Sequence, residues 1–184
     1  MTLYVVLGIV VLVVLYIIFA FNSLIRRRNQ AEEAWSDIEV QLKRRYDLIP
    51  NVLETVKGYA AHEKGIMENV TAARAAALGA TGSEEKARAE NALTSTLKTL
   101  FAVAENYPDL KANANFLDLQ RELADTENKI QASRRFYNGV VRDLNTALES
   151  FPTNIIASVF RFVKKEFFDL EDSHPAQEPV KVTF

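Results

Sequence analysis

The strongest restriction on the fold is a long apolar run at the start of the chain. The run from Leu3 to Ile25 is interrupted only by Gly8, Asn22 and Ser23, and it contains no charged side chain. As a helix it would reach about 34 Å, enough to cross the hydrocarbon core of a bilayer. A secretory signal peptide would instead show a basic start, a shorter apolar run and a small-residue cleavage pattern. The sequence therefore predicts an uncleaved membrane anchor that contacts the lipid bilayer through residues 3–25.

The residues after the anchor limit the chemistry that the chain can perform. All 22 basic and 24 acidic residues lie there, the net charge is −2, and the chain has no cysteine and only two histidines, His62 and His174. Disulfides, thiolate nucleophiles and cysteine–zinc sites are excluded. The sequence thus predicts no catalytic centre, no metal site and no cofactor, and we expect a protein that is not an enzyme.

Basic residues follow the apolar run, and none precedes it. Positive charge is retained on the cytoplasmic side of a membrane span, so the pattern predicts an outer N-terminus and a cytoplasmic body. Attraction to anionic lipid also accounts for these charges more simply than a nucleic-acid partner does. The residues assigned to orientation and lipid-facing charge are Arg26, Arg27, Arg28, Lys43, Arg44 and Arg45.

Apolar spacing in the body indicates long helices. Between residues 116 and 151, apolar or small side chains recur at alternating steps of three and four, which is the pattern of a heptad helix. We expect this seam to pack within one chain. The series is Phe116, Leu119, Leu123, Thr126, Ile130, Ser133, Tyr137, Val140, Leu144, Ala147 and Phe151.

The same spacing runs from Phe21 to Ala77 and passes through Pro50 without losing register. A proline inside a helix removes one hydrogen bond and clashes with the carbonyl four residues back, so the sequence predicts a kink near Tyr46. The alternative is a new helix that Asp47 caps, with Pro50 in its first turn.

The fold class that follows is all-α. Thr81 and Glu84 have the spacing of a capping box and predict the start of a third helix. We expect the transmembrane helix to continue into an antiparallel up-down bundle of long heptad-patterned helices, with a short fourth helix at the C-terminal end. The predicted domains are an anchor with its basic flank (1–28), a helical bundle (29–170) and a flexible tail (171–184).

The segment 152–170 carries more large apolar groups than one face of a short helix can bury. It could cover the end of the bundle, form an oligomer or partner surface, or lie on the membrane. A path that goes out, back and out again would put it at the membrane-distal end. The candidate interaction residues are Ile155, Ile156, Val159, Phe160, Phe162, Phe167 and Phe168.

Two short motifs match catalytic or metal-binding patterns in part. Ser95 and Lys98 have the S-x-x-K spacing, but no partner motif follows them. Glu171 and His174 have the E-x-x-H spacing of di-iron bundles, which require a second copy and further glutamates. Neither motif predicts a site.

Several long stretches resemble the LemA family of bacterial membrane proteins. They are VQLKRRYDLIPNVLETVKGYAAHE (40–63), AENYPDLKANANFLDLQRELADTENKIQASRRFYN (104–138) and SFPTNIIASVF (150–160). The resemblance implies a single-span protein of the bacterial cytoplasmic membrane with a helical cytoplasmic body and no recognised catalytic residues. We expect a membrane-anchored scaffold or adaptor that forms a homo-oligomer. The alternative, which the resemblance alone suggests, is an accessory factor for envelope protein quality control beside a membrane metalloprotease partner.

Overall fold

The computed structural model describes residues 1–169. Within this range the regular elements are all helices, as the predicted all-α class requires: α1 (Thr2–Lys57), α2 (Lys64–Gly79), α3 (Ser83–Ala104), α4 (Pro108–Lys111), α5 (Ala114–Glu149) and α6 (Thr153–Val159). The predicted tail, 171–184, lies outside the described residues. The predicted three-part division of the chain and the predicted bundle with a heptad seam stay predictions.

The chain forms two compact units. Unit 1 contains residues 1–49 and 120–167, and unit 2 contains residues 50–119 together with the described residues 168 and 169. Both α1 and α5 contribute to each unit, because each helix is continuous across the boundary.

In unit 1, α1 and α5 run in opposite directions. Arg27 Nη1 donates a hydrogen bond to the carbonyl of Asp143 (3.5 Å), and farther along α1 the Arg44 guanidinium donates to the carboxylate of Glu122 (2.9 Å). Residue numbers in α1 rise as those of their partners in α5 fall. The C-terminal end of α5 therefore lies beside the N-terminal half of α1.

The buried stripe of α1 continues through Pro50. Pro50 itself is exposed, and α1 is helical on both sides of it, so no new helix begins at Asp47. The kink near Tyr46 stays a prediction. Buried positions along the stripe are Leu24, Ala31, Ile38, Leu42, Arg45, Ile49, Val52 and Val56.

The expected continuation of this helix to Ala77 is wrong. The helix ends at Lys57, and residues 58–63 form turns in which the amides of Tyr59 and Ala60 both donate to the carbonyl of Val56 (3.0 and 2.8 Å). Gly58 follows the last helical residue, and glycine costs about 1 kcal/mol in a helix interior. Because Ala60 is buried, tertiary packing also stabilises the turn.

Unit 2 contains a hairpin of α2 and α3. The two helices pack together, and the short loop of residues 80–82 joins them. At the open end, Tyr107 Oη donates to Glu63 Oε1 (2.9 Å), and Asn113 Nδ2 donates to Tyr59 Oη (2.9 Å). The bond to Glu63 raises the pKa of the Tyr107 hydroxyl. The start of α2 and the end of α3 thus lie close together. The end of α1 and the start of α5 also lie close together.

The start of α3 differs in detail from the predicted capping box. Gly82 precedes the helix with φ +79°, a conformation that glycine adopts without steric cost. Thr81 bonds Glu85 instead of Glu84, through its amide (3.1 Å) and its hydroxyl (3.3 Å) to Oε2. The predicted capping box is therefore wrong, because Gly82 and not Thr81 is the N-cap residue, and no side chain caps the helix.

α5 contains most of the predicted seam. Asn113 Oδ1 accepts a hydrogen bond from the amide of Phe116 (3.0 Å) and so caps the helix. Toward the C-terminal end, burial widens to include a neighbouring face, because a straight helix drifts relative to a strict heptad. Ser133 and Ala147 are half-buried, and Phe151 lies outside the helix. Beside the buried seam residues Tyr137, Val140 and Leu144, the positions Arg134, Val141 and Leu148 are also buried.

Candidate membrane-proximal site

Residues 160–162, which follow α6, lie beside the apolar run of α1. The rings of Phe160 and Phe162 contact Phe21, with centroid separations of 4.7 and 5.9 Å. The expectation that residues 152–170 lie at the membrane-distal end is therefore wrong. The turn at residues 58–63 adds a reversal to the expected path, and α5 returns along α1.

The short fourth helix expected near the C-terminal end is α6, which covers Thr153–Val159. The amide of Phe162 donates to the carbonyl of Ala157 (2.9 Å), and the amide of Arg161 donates to that of Ser158 (3.2 Å). This pair of bonds defines a Schellman motif, with Arg161 at the left-handed position (φ 56°). Glycine normally occupies that position, so an arginine here is unusual.

Residues 160–169, which follow α6, are non-helical, and residues 160–166 are held against α1 and α5. Asn145 bonds both backbone groups of Lys165: its amide donates to the carbonyl (2.9 Å), and its oxygen accepts from the amide N–H (3.0 Å). Tyr137 Oη donates to the carbonyl of Glu166 (2.9 Å). Three hydrogen bonds from α5 thus fix the backbone of this segment.

The surroundings of Tyr137 favour its hydrogen bond to the carbonyl of Glu166. Its ring packs against Trp35 with a centroid separation of 5.3 Å. Burial, with a smaller contribution from the Glu166 carboxylate, raises the pKa of the Tyr137 hydroxyl above its usual value. The hydroxyl therefore keeps the proton that it donates.

An open cavity of about 460 Å³ lies between the non-helical segment and α1. Phe21, Ile25 and Phe160 form part of its apolar wall. The charged groups on its lining are Arg28, Glu32, Arg161 and Lys165. Lys165 Nζ lies 3.5 Å from the Glu32 carboxylate, and the Arg28 guanidinium lies 6.0 Å from the centroid of the Phe162 ring. The cavity therefore combines an apolar wall with an excess of positive charge.

The structure divides the seven candidate interaction residues between the interior and the surface. Ile156 and Phe168 are buried, and Phe162 is half-buried against Phe21. The other four, Ile155, Val159, Phe160 and Phe167, are exposed. Phe151 and Val163 are also exposed, at 81% and 79%, although sequence reasoning placed Phe151 in the seam and left Val163 out of the candidates.

The six basic residues have different surroundings. Arg26, Arg28 and Lys43 are exposed, and Arg27 contacts the backbone of α5. Arg44 pairs with Glu122 (2.9 Å), and Arg45 is only 3% exposed and pairs with Glu127 (3.0 Å). The Arg45 guanidinium thus forms an ion pair with a carboxylate on α5. The roles assigned to these residues in orientation stay predictions.

The S-x-x-K pair lies on α3, where both Ser95 and Lys98 are exposed. Glu171 and His174 lie outside the described residues. Among residues 1–169, no group of three or more His, Cys, Asp or Glu side chains is arranged to hold a metal ion.

The N-terminal part of α1 is long and apolar enough to cross a membrane, by length and composition. Its large apolar side chains from Leu3 to Phe19 are exposed, and the first buried residue is Ala20. The transition to buried positions occurs near Phe21, where Phe160 and Phe162 contact the helix. The candidate site therefore adjoins the end of the candidate span.

Known proteins resemble this chain over most of its length. The LemA protein of Metamycoplasma hominis is 28% identical over 140 residues, which cover 74% of this chain and 63% of that protein. The magnetosome protein MamQ of Magnetospirillum gryphiswaldense is 23% identical over 178 residues, which cover 83% of this chain and 65% of that protein. Neither name describes an enzymatic activity.

The chain thus spans just under two thirds of the length of these relatives. The sequence profile of the LemA family matches residues 34–184, which include α2 to α6 and most of the body portion of α1. The resemblance recognised from the sequence motifs is confirmed, and the chain belongs to the LemA family.

Proposed function

We propose that this protein is a membrane-anchored scaffold or adaptor that self-associates next to the bilayer. The observation that supports this most directly is the exposed apolar surface of α6, formed by Ile155 and Val159, which are 55% and 69% exposed. The two residues are four apart in α6 and so lie on one face. Phe151 lies two residues before this helix and is also exposed. We call Phe151, Ile155 and Val159 the α6 surface.

The energy available from this surface is sufficient for association in a membrane. Burial of a large apolar side chain contributes about 1.5–3 kcal/mol. Copies anchored in one bilayer share a raised effective concentration, so each needs less binding energy than it would in solution. Burial of Ile155 and Val159 in a neighbouring copy would therefore favour a homo-oligomer over the monomer.

The helical body lies in the cytoplasm in this proposal. Arg26 and Arg28 are exposed directly after the apolar run, and positively charged flanks are retained on that side. A reporter that is active only outside the cytoplasm, fused after Phe184, is expected to be inactive. Strong activity of this fusion, with a cytoplasmic reporter silent at the same position, would contradict the orientation.

Self-association can be tested by replacing Val159 with asparagine in the full chain. We expect the wild type to have the mass of a defined homo-oligomer after gentle solubilisation. Val159→Asn should shift that mass toward the monomer, and its melting temperature should equal that of the wild type diluted until it is monomeric, because the side chain is exposed in one chain. The measurement is native mass spectrometry combined with thermal melting.

Val40→Asn is the matched control, because Val40 is 59% exposed, also lies on a helix and is not part of the α6 surface. This variant should keep the mass of the wild type. A monomeric wild type would contradict self-association. If the wild type instead retained a second protein at fixed stoichiometry, the result would favour the accessory role beside a membrane protein partner.

A further inference from the structure

The cavity next to Phe21 has an excess of positive charge on its lining. Arg28, Arg161 and Lys165 contribute three positive charges to its lining, and Glu32 contributes one negative charge. Glu32 neutralises Lys165 in part, since the two groups are 3.5 Å apart. The remaining positive charge belongs to Arg28 and Arg161.

Arg161 is the most informative of these residues. It holds the left-handed position of the Schellman motif, where a side chain is sterically unfavourable and glycine is preferred. Its side chain is exposed, and it forms no ion pair within the described residues. Strained positions of this kind are found where the side chain has a function. The fold itself would be served better by glycine.

The position of the cavity indicates what it could bind. Its apolar wall includes Phe21 and Ile25, which belong to the apolar run, and Arg28 follows directly after that run. A volume of about 460 Å³ is within the usual range for small-ligand sites. Guanidinium groups match phosphate oxygens in charge and geometry. A phospholipid at the edge of the bilayer offers both a phosphate and an acyl chain.

We propose that this cavity binds the headgroup phosphate of an anionic phospholipid from the same bilayer, with Arg28 and Arg161 as the phosphate-binding residues. The apolar wall would contact the first part of the acyl chains. The proposal rests on membrane anchoring but not on self-association, because the α6 surface is formed by other residues. Failure of one proposal therefore leaves the other open to its own test.

The test uses the full chain in a neutral detergent, with phosphatidylglycerol or phosphatidylcholine added as the probe. Phosphatidylglycerol should raise the melting temperature in a concentration-dependent manner, because a ligand that binds the folded state stabilises it. Phosphatidylcholine should have little effect. In Arg161→Gly and in Arg28→Gln, the concentration of phosphatidylglycerol needed for half of the shift should rise about tenfold, because a charge-assisted bond to phosphate is lost.

Arg161→Gly also separates binding from folding. Without lipid, this variant should melt at the wild-type temperature or higher, because glycine suits the left-handed position. If it melts lower, Arg28→Gln decides the question, and a full response to phosphatidylglycerol in that variant would overturn the proposal.

Lys98→Gln provides the control for overall charge. Lys98 is exposed on α3 and is not among the residues assigned to lipid-facing charge. This variant should respond to phosphatidylglycerol as the wild type does. An equal weakening in Lys98→Gln would show diffuse attraction in place of a site. A full shift with inorganic phosphate alone would show a site for free phosphate, and either result overturns the proposal.

Discussion

Replacement of Phe168 with alanine is expected to lower the free energy of unfolding by about 3–5 kcal/mol, because the phenylalanine side chain is fully buried (0% exposed) and its removal leaves a cavity. The free energy can be measured by chemical denaturation of the full chain in detergent micelles, followed by the helical circular dichroism signal. Sequence reasoning treated Phe168 as a candidate interaction residue. A decrease of this size would show that Phe168 belongs to the core.

Phe167→Ala is the matched control, because the two phenylalanines are adjacent and Phe167 is 49% exposed. Its substitution should lower the free energy of unfolding by less than about 1 kcal/mol, as is usual for exposed side chains. Equal losses in the two variants would mean that both rings are part of the core. A loss in neither variant would mean that Phe168 is not packed as described.

Removal of the Glu127 carboxylate should also have a large effect. Arg45 is 3% exposed, and its guanidinium lies 3.0 Å from Glu127. Glu127→Ala removes this carboxylate from the buried guanidinium, which should lower the free energy of unfolding by about 2–4 kcal/mol. Urea denaturation is the suitable measurement, since urea adds no ionic strength.

The neighbouring pair of Arg44 and Glu122 supplies a close comparison. Its nitrogen–oxygen distance is 2.9 Å, but the two side chains are 40% and 44% exposed. Glu122→Ala should therefore lower the free energy of unfolding by less than about 1 kcal/mol, and added salt should make this decrease smaller still. A larger loss for Glu122→Ala than for Glu127→Ala would show that burial does not determine the strength of these pairs.

The long helices were predictable because their apolar spacing extends over many turns. Leu123, Ile130 and Leu144 recur at multiples of seven, and all three are buried on α5. The stripe of α1 likewise passes Pro50 without a change of face, as Ile49 and Val52 show. A period read from sequence identifies which side of a helix is buried, and this is sufficient to recognise the helix.

The direction of the chain was harder to predict. Val56 and Ile66 fit one continuous stripe by spacing, yet α1 ends at Lys57 and α2 begins only at Lys64. The spacing of apolar residues cannot reveal a reversal of the chain when the same spacing continues on both sides of the turn. Gly58 was a local signal of the break, but the contacts that stabilise the turn involve Tyr107 and Asn113, about fifty residues away.

That single reversal also determined the position of the candidate site. Phe160 and Phe162 were recognised as interaction candidates by their apolar character, but their contact with Phe21 depends on the return of α5 along α1. The conformation of Arg161 could not be predicted from its residue type, because arginine rarely adopts a positive φ. Sequence thus identified Phe160, Phe162 and Arg28, and the structure added Glu32, Arg161 and Lys165 to the site.

The closed base of the α2–α3 hairpin has a consequence for insertions and deletions. Since Glu63 and Tyr107 meet there, the length of the hairpin is independent of the pairing between α1 and α5. An added helical turn in α2 lengthens it by about 5.4 Å and requires an equal addition to α3. An insertion in one helix alone would separate the two side chains at the base. Variation in chain length should therefore occur in matched pairs of turns, or within the loop of residues 80–82.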